Sequence, residues 1–421
     1  MGNKMIRVVG DIMLDEWLNG NLEKKSAEAP INIFERKIEN YSLGGVGNLS
    51  INLKSLGIKF DLFSEIGKDN YGKKVLKILR EKKIKFNILK IKKQTTIKRR
   101  FFKNNKQVFR EDIEDTTINK RIGYKVYKKL KSNEIQVISD YNKGSIHKNF
   151  LNEISKKNIV TFVDPKNKPF FYKKAFLVKP NMEKFEEWCG KYSKKKAFQL
   201  LKQMKWKWLI ISNNKKGVHV FNHKDQYNFY KVKKVKNPNV IGAGDIFFAG
   251  IIYNYLRGLD IFTSVEMSSH AASKCVAKKK IRKISKKDFI KDVVFTNGVY
   301  DLLHKGHLDL LKFSKKIGKY LVVGINSDKS VKLLKGKNRP YNSINLRIKK
   351  LKQTKLIDKI FKFSEKSPLK LIKIIKPDVI VKGDDYDFNQ VKGSQVSNII
   401  LFKRKKKISS TQIILKLNKT I

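Results

Sequence analysis

The chain has 421 residues, enough for two or three domains, and 41% of them are apolar, so the composition argues against a disordered protein. It has only two cysteines, Cys189 and Cys275, and no apolar run of about 18 residues, so we expect a cytoplasmic protein, neither disulfide-stapled nor membrane-inserted. The net charge of +58, from 95 basic and 37 acidic residues, is spread along the whole chain, which favours attraction of anionic substrates over a dedicated nucleic-acid surface.

Strand-like and helix-like segments alternate from the N-terminus onward, which predicts an α/β fold with parallel sheets. The first strand is expected at Ile6–Val9, and a helix is expected behind the tight turn Gly44-Gly45. Further buried strands of the first two-thirds are expected at Val137–Ile138, Val160–Val163, Phe176–Val178 and Leu209–Ile211.

A lysine-dense stretch from Lys278 to Lys291 contains few core candidates and is the predicted domain boundary. The α/β pattern restarts after it with a strand at Val293–Phe295. Later strands are expected at Leu321–Ile325, Val379–Val381 and Ile399–Phe402. The two halves do not look alike, so we predict two different α/β domains, at residues 1–285 and 292–421.

The segment Gly242-Ala243-Gly244-Asp245 precedes an apolar helical run. Small residues let a bound group approach the backbone, and amides at a helix N-terminus face an incoming anion. Asp245 in the first turn can accept a proton from a sugar hydroxyl while those amides stabilise a transferring phosphoryl group. An ordinary helix start with an acidic first turn explains the same four residues.

Other polar and glycine-rich segments favour the chemical interpretation, because they also follow predicted strands. Asp11 ends the first strand, Gly44-Gly45 leads into a helix with Asn48, and Asn181 follows another strand. Open α/β sheets bind ligands at the carboxyl ends of their strands, so these groups are expected in one crevice. As an ordered set over residues 1–280, they resemble the ribokinase-like (PfkB) sugar kinases.

That resemblance implies a ribokinase-like three-layer sandwich and gives roles to individual residues. Asp245 corresponds to the catalytic base, Asp11 and Asn48 correspond to groups that hold sugar hydroxyls, and Gly44 and Gly45 contribute backbone contacts.

The resemblance also implies where the phosphates of both substrates bind. Lys98 and Arg100 fall where a sugar-phosphate kinase binds the phosphate of its substrate. The residues expected around ATP and its magnesium are Asn181, Met182, Glu183, Lys184, Gly242, Ala243 and Gly244.

Four positions depart from the family's pattern. Asn239 and Ile241 replace the usual Asp and Thr before the glycine turn. Lys184 replaces the glutamate of the Asn-x-x-Glu segment, and Asn213 replaces a more usual arginine. Loss of a carboxylate that organises magnesium would slow phosphoryl transfer. We expect an active kinase; the alternative is a kinase domain kept only as a dimerising scaffold.

In the second half, Phe295 ends a strand, a glycine turn follows, and a helix begins with His304 and His307. A spacing of three places both imidazoles on one helical face near its positive end, where they can donate hydrogen bonds to nucleotide phosphates. Gly306 between them leaves room for a nucleotide against the helix. Zinc is disfavoured, since no third ligand of suitable spacing accompanies the pair, and we expect no metal held by protein side chains alone.

This His-x-Gly-His segment resembles the cytidylyltransferase-like nucleotidyltransferases, which implies a Rossmann-like second domain. In such enzymes a substrate phosphate attacks the α-phosphorus in line and pyrophosphate leaves, so catalysis is positioning and charge stabilisation. His304 and His307 are the expected catalytic residues, and Lys335 is expected to neutralise phosphate charge. Ser409, Ser410 and Thr411 open a last helix that can hold the outer phosphates.

Both domains in this order resemble the bifunctional heptose kinase/adenylyltransferases of Gram-negative bacteria. The resemblance implies ATP-dependent phosphorylation of D-glycero-β-D-manno-heptose 7-phosphate at O1. It also implies, after removal of the 7-phosphate by a separate phosphatase, adenylyl transfer from ATP to heptose 1-phosphate, giving pyrophosphate and ADP-heptose for the lipopolysaccharide core. It further implies Mg²⁺ at both sites and a homodimer formed through the kinase domain.

Two alternatives to this assignment stay open. In the first, only the adenylyltransferase is active and the kinase domain is a dimerising scaffold. In the second, the protein binds nucleic acid on an enzyme-like fold; DNA binding that persists at physiological salt would favour it.

Overall fold

The computed structural model describes residues 6–104, 106–115, 122, 128, 134–147, 150–151, 154, 159–232, 235, 241–277, 283–289, 293–318, 320–336, 338–384, 391–393 and 397–402. The chain divides into two compact units: Met1–Asn254 with Asp260–Asp288, and Tyr255–Leu259 with Phe289–Ile421. The domain limits 1–285 and 292–421 stay a prediction, and no sequence pattern anticipated the assignment of residues 255–259 to the second unit.

The strands of the first unit are β1 (Ile6–Gly10), β2 (Ile12–Lys25), β3 (Asn32–Gly45), β4 (Phe60–Gly67), β5 (Phe86–Ile91), β6 (Ile97–Lys103), β7 (Lys106–Ile113), β8 (Ile135–Ser139), β9 (Val160–Asp164), β10 (Leu177–Val178), β11 (Trp208–Asn213), β12 (Gly217–Asn222) and β13 (Tyr227–Tyr230). Its helices are α1 (Val46–Ser55), α2 (Asn70–Glu81), α3 (Met182–Cys189), α4 (Lys194–Gln203), α5 (Ala243–Leu256) and α6 (Ile261–Val276), with 3₁₀ turns at Pro169–Tyr172, Asn214–Lys216 and Lys286–Asp288.

Nine of these strands form one sheet in the order β13-β12-β11-β10-β9-β8-β1-β4-β5. Every pair from β11 to β5 is parallel, and β12 and β13 add an antiparallel edge. All residues of β1 and β8 are buried, because a parallel sheet is covered on both faces. The parallel strands predicted in this part of the chain are therefore confirmed.

The remaining four strands form a second sheet in the order β3-β2-β6-β7. The long strands β2 and β3 pair antiparallel, and β2 also pairs with β6 in parallel. Much of β3 and β7 is exposed, so this sheet lacks the alternating burial that would have revealed it from sequence.

The second unit contains β14 (Val293–Gly298), α7 (Lys305–Ile317), β15 (Tyr320–Asn326), α8 (Asp328–Lys335), α9 (Ile344–Gln353), β16 (Lys359–Phe363), α10 (Leu369–Ile375), β17 (Val379–Gly383) and β18 (Asn398–Phe402). The strands form a parallel sheet in the order β16-β15-β14-β17-β18. This order reverses direction between β14 and β17, where open α/β sheets bind their ligands.

No helix within the described ranges has the length and apolar character needed to cross a bilayer.

Candidate active sites

Asp245 lies in the first turn of α5 and is 5% exposed. Its Oδ2 accepts a hydrogen bond of 2.7 Å from Asn48 Nδ2, and its Oδ1 accepts one of 3.3 Å from the Tyr141 hydroxyl. Gly242, which directly precedes α5, has φ +72°, and a Cβ there would lie 2.5 Å from Asn48 Nδ2. Only glycine therefore allows the two helix starts, α1 and α5, to meet at this carboxylate.

The pKa of Asp245 is raised to about 7, first by burial and then by the nearby Asp164 carboxylate. Hydrogen bonds from Asn48 and Tyr141 and the charge of Lys179 oppose this rise. Lys179 is itself buried, with Nζ 2.9 Å from Asp164 Oδ2. A carboxyl group with this pKa can accept a proton near neutral pH, which is the property required of a general base.

We expect the pH dependence of phosphoryl transfer to follow this carboxyl group. Only the deprotonated form of Asp245 can accept a proton, so activity should rise with pH through a midpoint near 7. Between about pH 6 and about pH 8, kcat/KM for ADP formation should increase roughly tenfold. A flat profile over this range would contradict the assignment of Asp245 as base.

Gly44 and Gly45 end β3 and pack against the start of β2. Gly45 has φ +57°, and a Cβ on it would lie 2.3 Å from the backbone oxygen of Asp11, which accepts the Val46 amide at 2.9 Å. A side chain at this turn would push α1, and with it Asn48, away from the Asp245 pocket. Whether the two glycines contact a sugar stays a prediction.

Asp11 is 1% exposed and its carboxylate accepts three backbone amides. Oδ2 accepts Tyr141 N at 2.8 Å and Lys143 N at 3.1 Å, and Oδ1 accepts Ser145 N at 2.9 Å. The structure thus gives Asp11 a part in holding the loop after β8. The sugar-hydroxyl role expected for it stays a prediction.

Lys98 and Arg100 lie two residues apart on β6, hence on one face of the four-stranded sheet. Arg100 forms an ion pair of 2.8 Å with Asp15, and burial lowers the pKa of Lys98. Arg110, which pairs with Arg100 across β6 and β7, adds a third cation that sequence reasoning did not single out. Lys98 Nζ lies 5.6 Å from the centre of the Tyr141 ring, so this cationic group borders the Asp245 pocket.

Asn181 is the N-cap of α3, and its side chain accepts the Lys184 amide at 2.9 Å. Together with Met182, Glu183 and Glu186 it lines an open cleft of about 770 Å³. Lys184 Nζ pairs with the Glu187 carboxylate. Asn213, another departure from the family pattern, lines the same cleft. Ile241 directly precedes Gly242, whereas Asn239 lies outside the described residues.

Sequence reasoning missed two groups at the Asp245 pocket, Tyr141 and the pair Lys179–Asp164. Their only signal was position at strand ends: Asp164 is the last residue of β9, Lys179 directly follows β10, and Tyr141 lies two residues after β8. Gly244 is exposed, with Lys179 Nζ 4.0 Å from the position of a Cβ.

In the second unit, His304 is the N-cap residue of α7 and His307 lies in its first turn. Their rings stack with centroids 3.8 Å apart and planes inclined by 25°. A Cβ on Gly306 would lie 3.2 Å from His304 Cε1, so the glycine gives space first to the His304 ring. The centre of the Tyr300 ring lies 5.0 Å from that of the His307 ring, so the two rings pack together.

Asp301 and Arg347 hold the loop between α8 and α9 against the segment that precedes α7. Asp301 accepts the amides of Tyr341 and Asn342 at 3.0 and 2.9 Å and pairs with Arg339 at 2.9 Å. Arg347 is fully buried and donates to the Val299 carbonyl at 2.6 Å. These contacts connect residues 339–342 to the turn that precedes the histidines.

Lys335 is the last residue of α8 and is exposed; its predicted role in charge neutralisation stays a prediction. Ser409, Ser410 and Thr411 lie outside the described residues. Sequence reasoning gave no role to Lys382, a lysine 6% exposed near the end of β17 that donates to the Asn297 carbonyl at 3.3 Å.

Residues 3–287 match the family model of the pfkB family carbohydrate kinases, and residues 295–416 match the cytidylyltransferase-like model. Solved structures support the first fold: phosphofructokinase-2 from Escherichia coli (16% identical, TM-score 0.59, covering 68% of this chain and 97% of that one) and a ribokinase from Thermotoga maritima (17%, 0.56, 68% and 98%). The ribokinase-like sandwich followed by a Rossmann-like domain is thus confirmed.

Curated relatives match the whole arrangement. Proteins named bifunctional protein HldE are 31% identical in Nitratiruptor sp. (93% of this chain, 94% of the relative), 33% in Campylobacter concisus (93% and 92%) and 32% in Campylobacter jejuni RM1221 (98% and 97%). The chain therefore belongs to the family of bifunctional HldE proteins, enzymes that join a pfkB carbohydrate kinase domain to a cytidylyltransferase-like nucleotidyltransferase domain.

Proposed function

We propose that this enzyme catalyses two steps of ADP-heptose synthesis for the lipopolysaccharide core. Its first domain phosphorylates D-glycero-β-D-manno-heptose 7-phosphate at O1 with ATP. Its second domain transfers AMP from ATP to heptose 1-phosphate, releasing pyrophosphate and forming ADP-heptose. Small sugar phosphates and ATP are the partners in this proposal; specific nucleic-acid binding and membrane association are not part of it.

The observation that carries the kinase half is the Asp245 carboxylate between Asn48 and Tyr141, beside the cations of β6. A hydroxyl at the ring carbon remote from the substrate phosphate reaches Asp245 while the phosphate binds Lys98 and Arg100. Asp245 accepts the hydroxyl proton as the oxygen attacks the γ-phosphorus in line. The amides of Gly242, Ala243 and Gly244 then stabilise the transferring group.

The observation that carries the transferase half is the stacked pair of imidazoles at the start of α7. Two ring N–H groups on one side of a helix N-terminus can donate to phosphate oxygens as charge builds on the α-phosphorus. The sugar phosphate supplies the nucleophile itself, so the site needs no covalent intermediate.

Magnesium, which the family resemblance implies, prefers oxygen ligands and retains several waters when it binds ATP. The donor set of Asn181, Glu183 and Glu186 around the 770 Å³ cleft fits such a hydrated ion, since it offers two carboxylates and an amide. Within the described ranges no three His, Cys, Asp or Glu side chains gather into a closed metal site. When bound, the metal supplies charge neutralisation for the transferring phosphate.

Turnover with defined heptose phosphates tests the function. ADP release from heptose 7-phosphate and pyrophosphate release from heptose 1-phosphate should both require the purified chain and ATP. Heptose without its 7-phosphate should show a KM for phosphorylation raised about tenfold or more, because Lys98 and Arg100 lose their partner. Pyrophosphate release without ADP formation would favour a kinase domain kept as a scaffold, and absence of both activities would reject the proposal.

We also propose a cytoplasmic homodimer that forms through the four-stranded sheet. On the face of this sheet opposite Lys98 and Arg100, Phe109 on β7 is 62% exposed, and its ring centre lies 5.5 Å from that of Phe101, which lies 5.0 Å from that of Phe34 on β3. An exposed apolar cluster of this kind is typical of a protein–protein contact. Light scattering of the full chain should give twice the monomer mass, and Phe109→Lys should lower it.

A further inference from the structure

The loop of residues 140–145 after β8 brings Tyr141 to the candidate base. The Tyr141 hydroxyl donates to Asp245 Oδ1 at 3.3 Å, while Asn48 donates to Oδ2 at 2.7 Å. Each carboxylate oxygen is thus held from a different element, α1 on one side and this loop on the other. Tyr141 is thus a second contact of Asp245, and the sequence motifs gave it no role.

Asp11 holds the same loop by its backbone. Its carboxylate accepts the amides of Tyr141, Lys143 and Ser145 at 2.8, 3.1 and 2.9 Å. A carboxylate has about four acceptor positions, so three of them are filled by this loop. The side chain is also 1% exposed, which leaves it little surface for a ligand.

We propose that Tyr141 is a positioning residue for the Asp245 carboxylate, and that Asp11 acts on the phosphoryl-transfer site through it by fixing the 140–145 loop. The inference rests on the kinase half of the proposed function. It replaces direct contact between Asp11 and a sugar hydroxyl with a series of contacts that runs from Asp11 to the loop amides, to Tyr141 and to Asp245.

The charges around these groups determine whether the pKa of Asp245 should rise or fall when the Tyr141 hydroxyl is removed. The pKa of Tyr141 is held well above its usual value, first by burial and then by Asp245, so the phenol stays a donor at neutral pH. A donor to the ionised form lowers an acid's pKa, and its loss should raise that of Asp245. The other groups that face the three side chains are Asp164 and Lys179 at Asp245, Asp15 and Lys98 at Tyr141, and Asp140 and Glu65 at Asp11.

The experiment titrates Asp245 without requiring turnover. Isotope-edited infrared spectra of the full chain with carbon-13-labelled aspartate, minus those of Asp245→Asn, report the protonation of this one carboxyl group. We compare wild type, Tyr141→Phe, Asp11→Asn and the double variant. Tyr230→Phe, which removes a partly buried hydroxyl on the edge strand β13, is the matched control.

Tyr141→Phe should move the Asp245 midpoint upward by about 0.5–1 pH unit, and Tyr230→Phe should not move it. Asp11→Asn should cause a similar shift, and the double variant should shift no further, because both changes interrupt one series of contacts. In kinetic assays Tyr141→Phe should lower kcat for ADP formation about tenfold with KM for the sugar phosphate changed less than about twofold.

An unchanged midpoint in Tyr141→Phe would overturn the proposal, and so would shifts that add in the double variant. A raised sugar KM in Asp11→Asn with an unmoved midpoint would show direct sugar binding by Asp11 and would also overturn it. The expected shifts in a chain that phosphorylates no heptose phosphate would support the positioning of Asp245 and reject the proposed substrate. Tyr141→Phe removes a single oxygen atom, so it decides the role of Tyr141 even where Asp11→Asn does not fold.

Discussion

Asp245→Asn should lower ADP formation from heptose 7-phosphate by roughly 10²–10⁴-fold, the usual contribution of a positioned general base. Asparagine keeps the shape of the side chain and an oxygen that can accept from Asn48, which donates to Asp245 at 2.7 Å in the structure. The amide cannot take the hydroxyl proton, so kcat should fall while KM for the sugar phosphate changes little. Initial rates of ADP release at saturating ATP measure the effect.

The second activity of the same chain is the internal control for this variant. Pyrophosphate release from heptose 1-phosphate should stay within about twofold of wild type, because the stacked histidines belong to the other unit. Retention of ADP formation within tenfold of wild type would mean that another group accepts the proton. Equal loss of both activities would indicate a folding defect.

His307→Ala should lower pyrophosphate release from heptose 1-phosphate by roughly 10²–10³-fold, as expected for a lost donor to developing phosphate charge. The ring stacks on His304 at 3.8 Å and packs near Tyr300 at 5.0 Å, so the alanine variant also removes a support of the first histidine. His304→Ala should therefore have an effect of similar size, and the double variant should lose less than the product of the two.

His307→Gln is the matched variant, because its side-chain amide keeps an N–H donor without the ring. It should retain more activity than alanine if donation to phosphate is the function of His307. Equal losses in the glutamine and alanine variants would assign the effect to ring packing. ADP formation from heptose 7-phosphate should be unaffected in both, and its loss would contradict the assignment of the histidines to a separate reaction.

Local sequence was sufficient wherever a structural feature depends on residues close together in the chain. The strand Val160–Asp164 begins with Val-Thr-Phe-Val and the strand Val293–Gly298 with Val-Val-Phe, so both are rich in β-branched and aromatic residues, and both were predicted within a few residues of their ends. The proximity of His304 and His307 follows from a spacing of three at a helix start. The glycine turn before Asp245 likewise indicates its helix N-terminus, since both lie in one short segment.

Long-range packing decided what surrounds those local motifs. Asn48 lies 197 positions before Asp245 in the chain and Tyr141 lies 104 positions before it, yet both side chains donate hydrogen bonds to the Asp245 carboxylate. No periodicity encodes such a meeting, because it depends on how the whole sheet places α1, the loop after β8 and α5. The raised pKa of Asp245 comes from that same burial.

From its sequence alone, this protein was identifiable as a carbohydrate kinase domain followed by a nucleotidyltransferase domain, both α/β. The sequence also predicts Asp245 and the His304–His307 pair as their reactive groups. Only the tertiary structure showed that Asp11 holds the 140–145 loop, that Tyr141 contacts Asp245 and that Lys98 lies next to the Tyr141 ring. The physical reason is that residue type and spacing determine which elements form. The partners of a buried polar group depend on which strand ends the sheet topology places together.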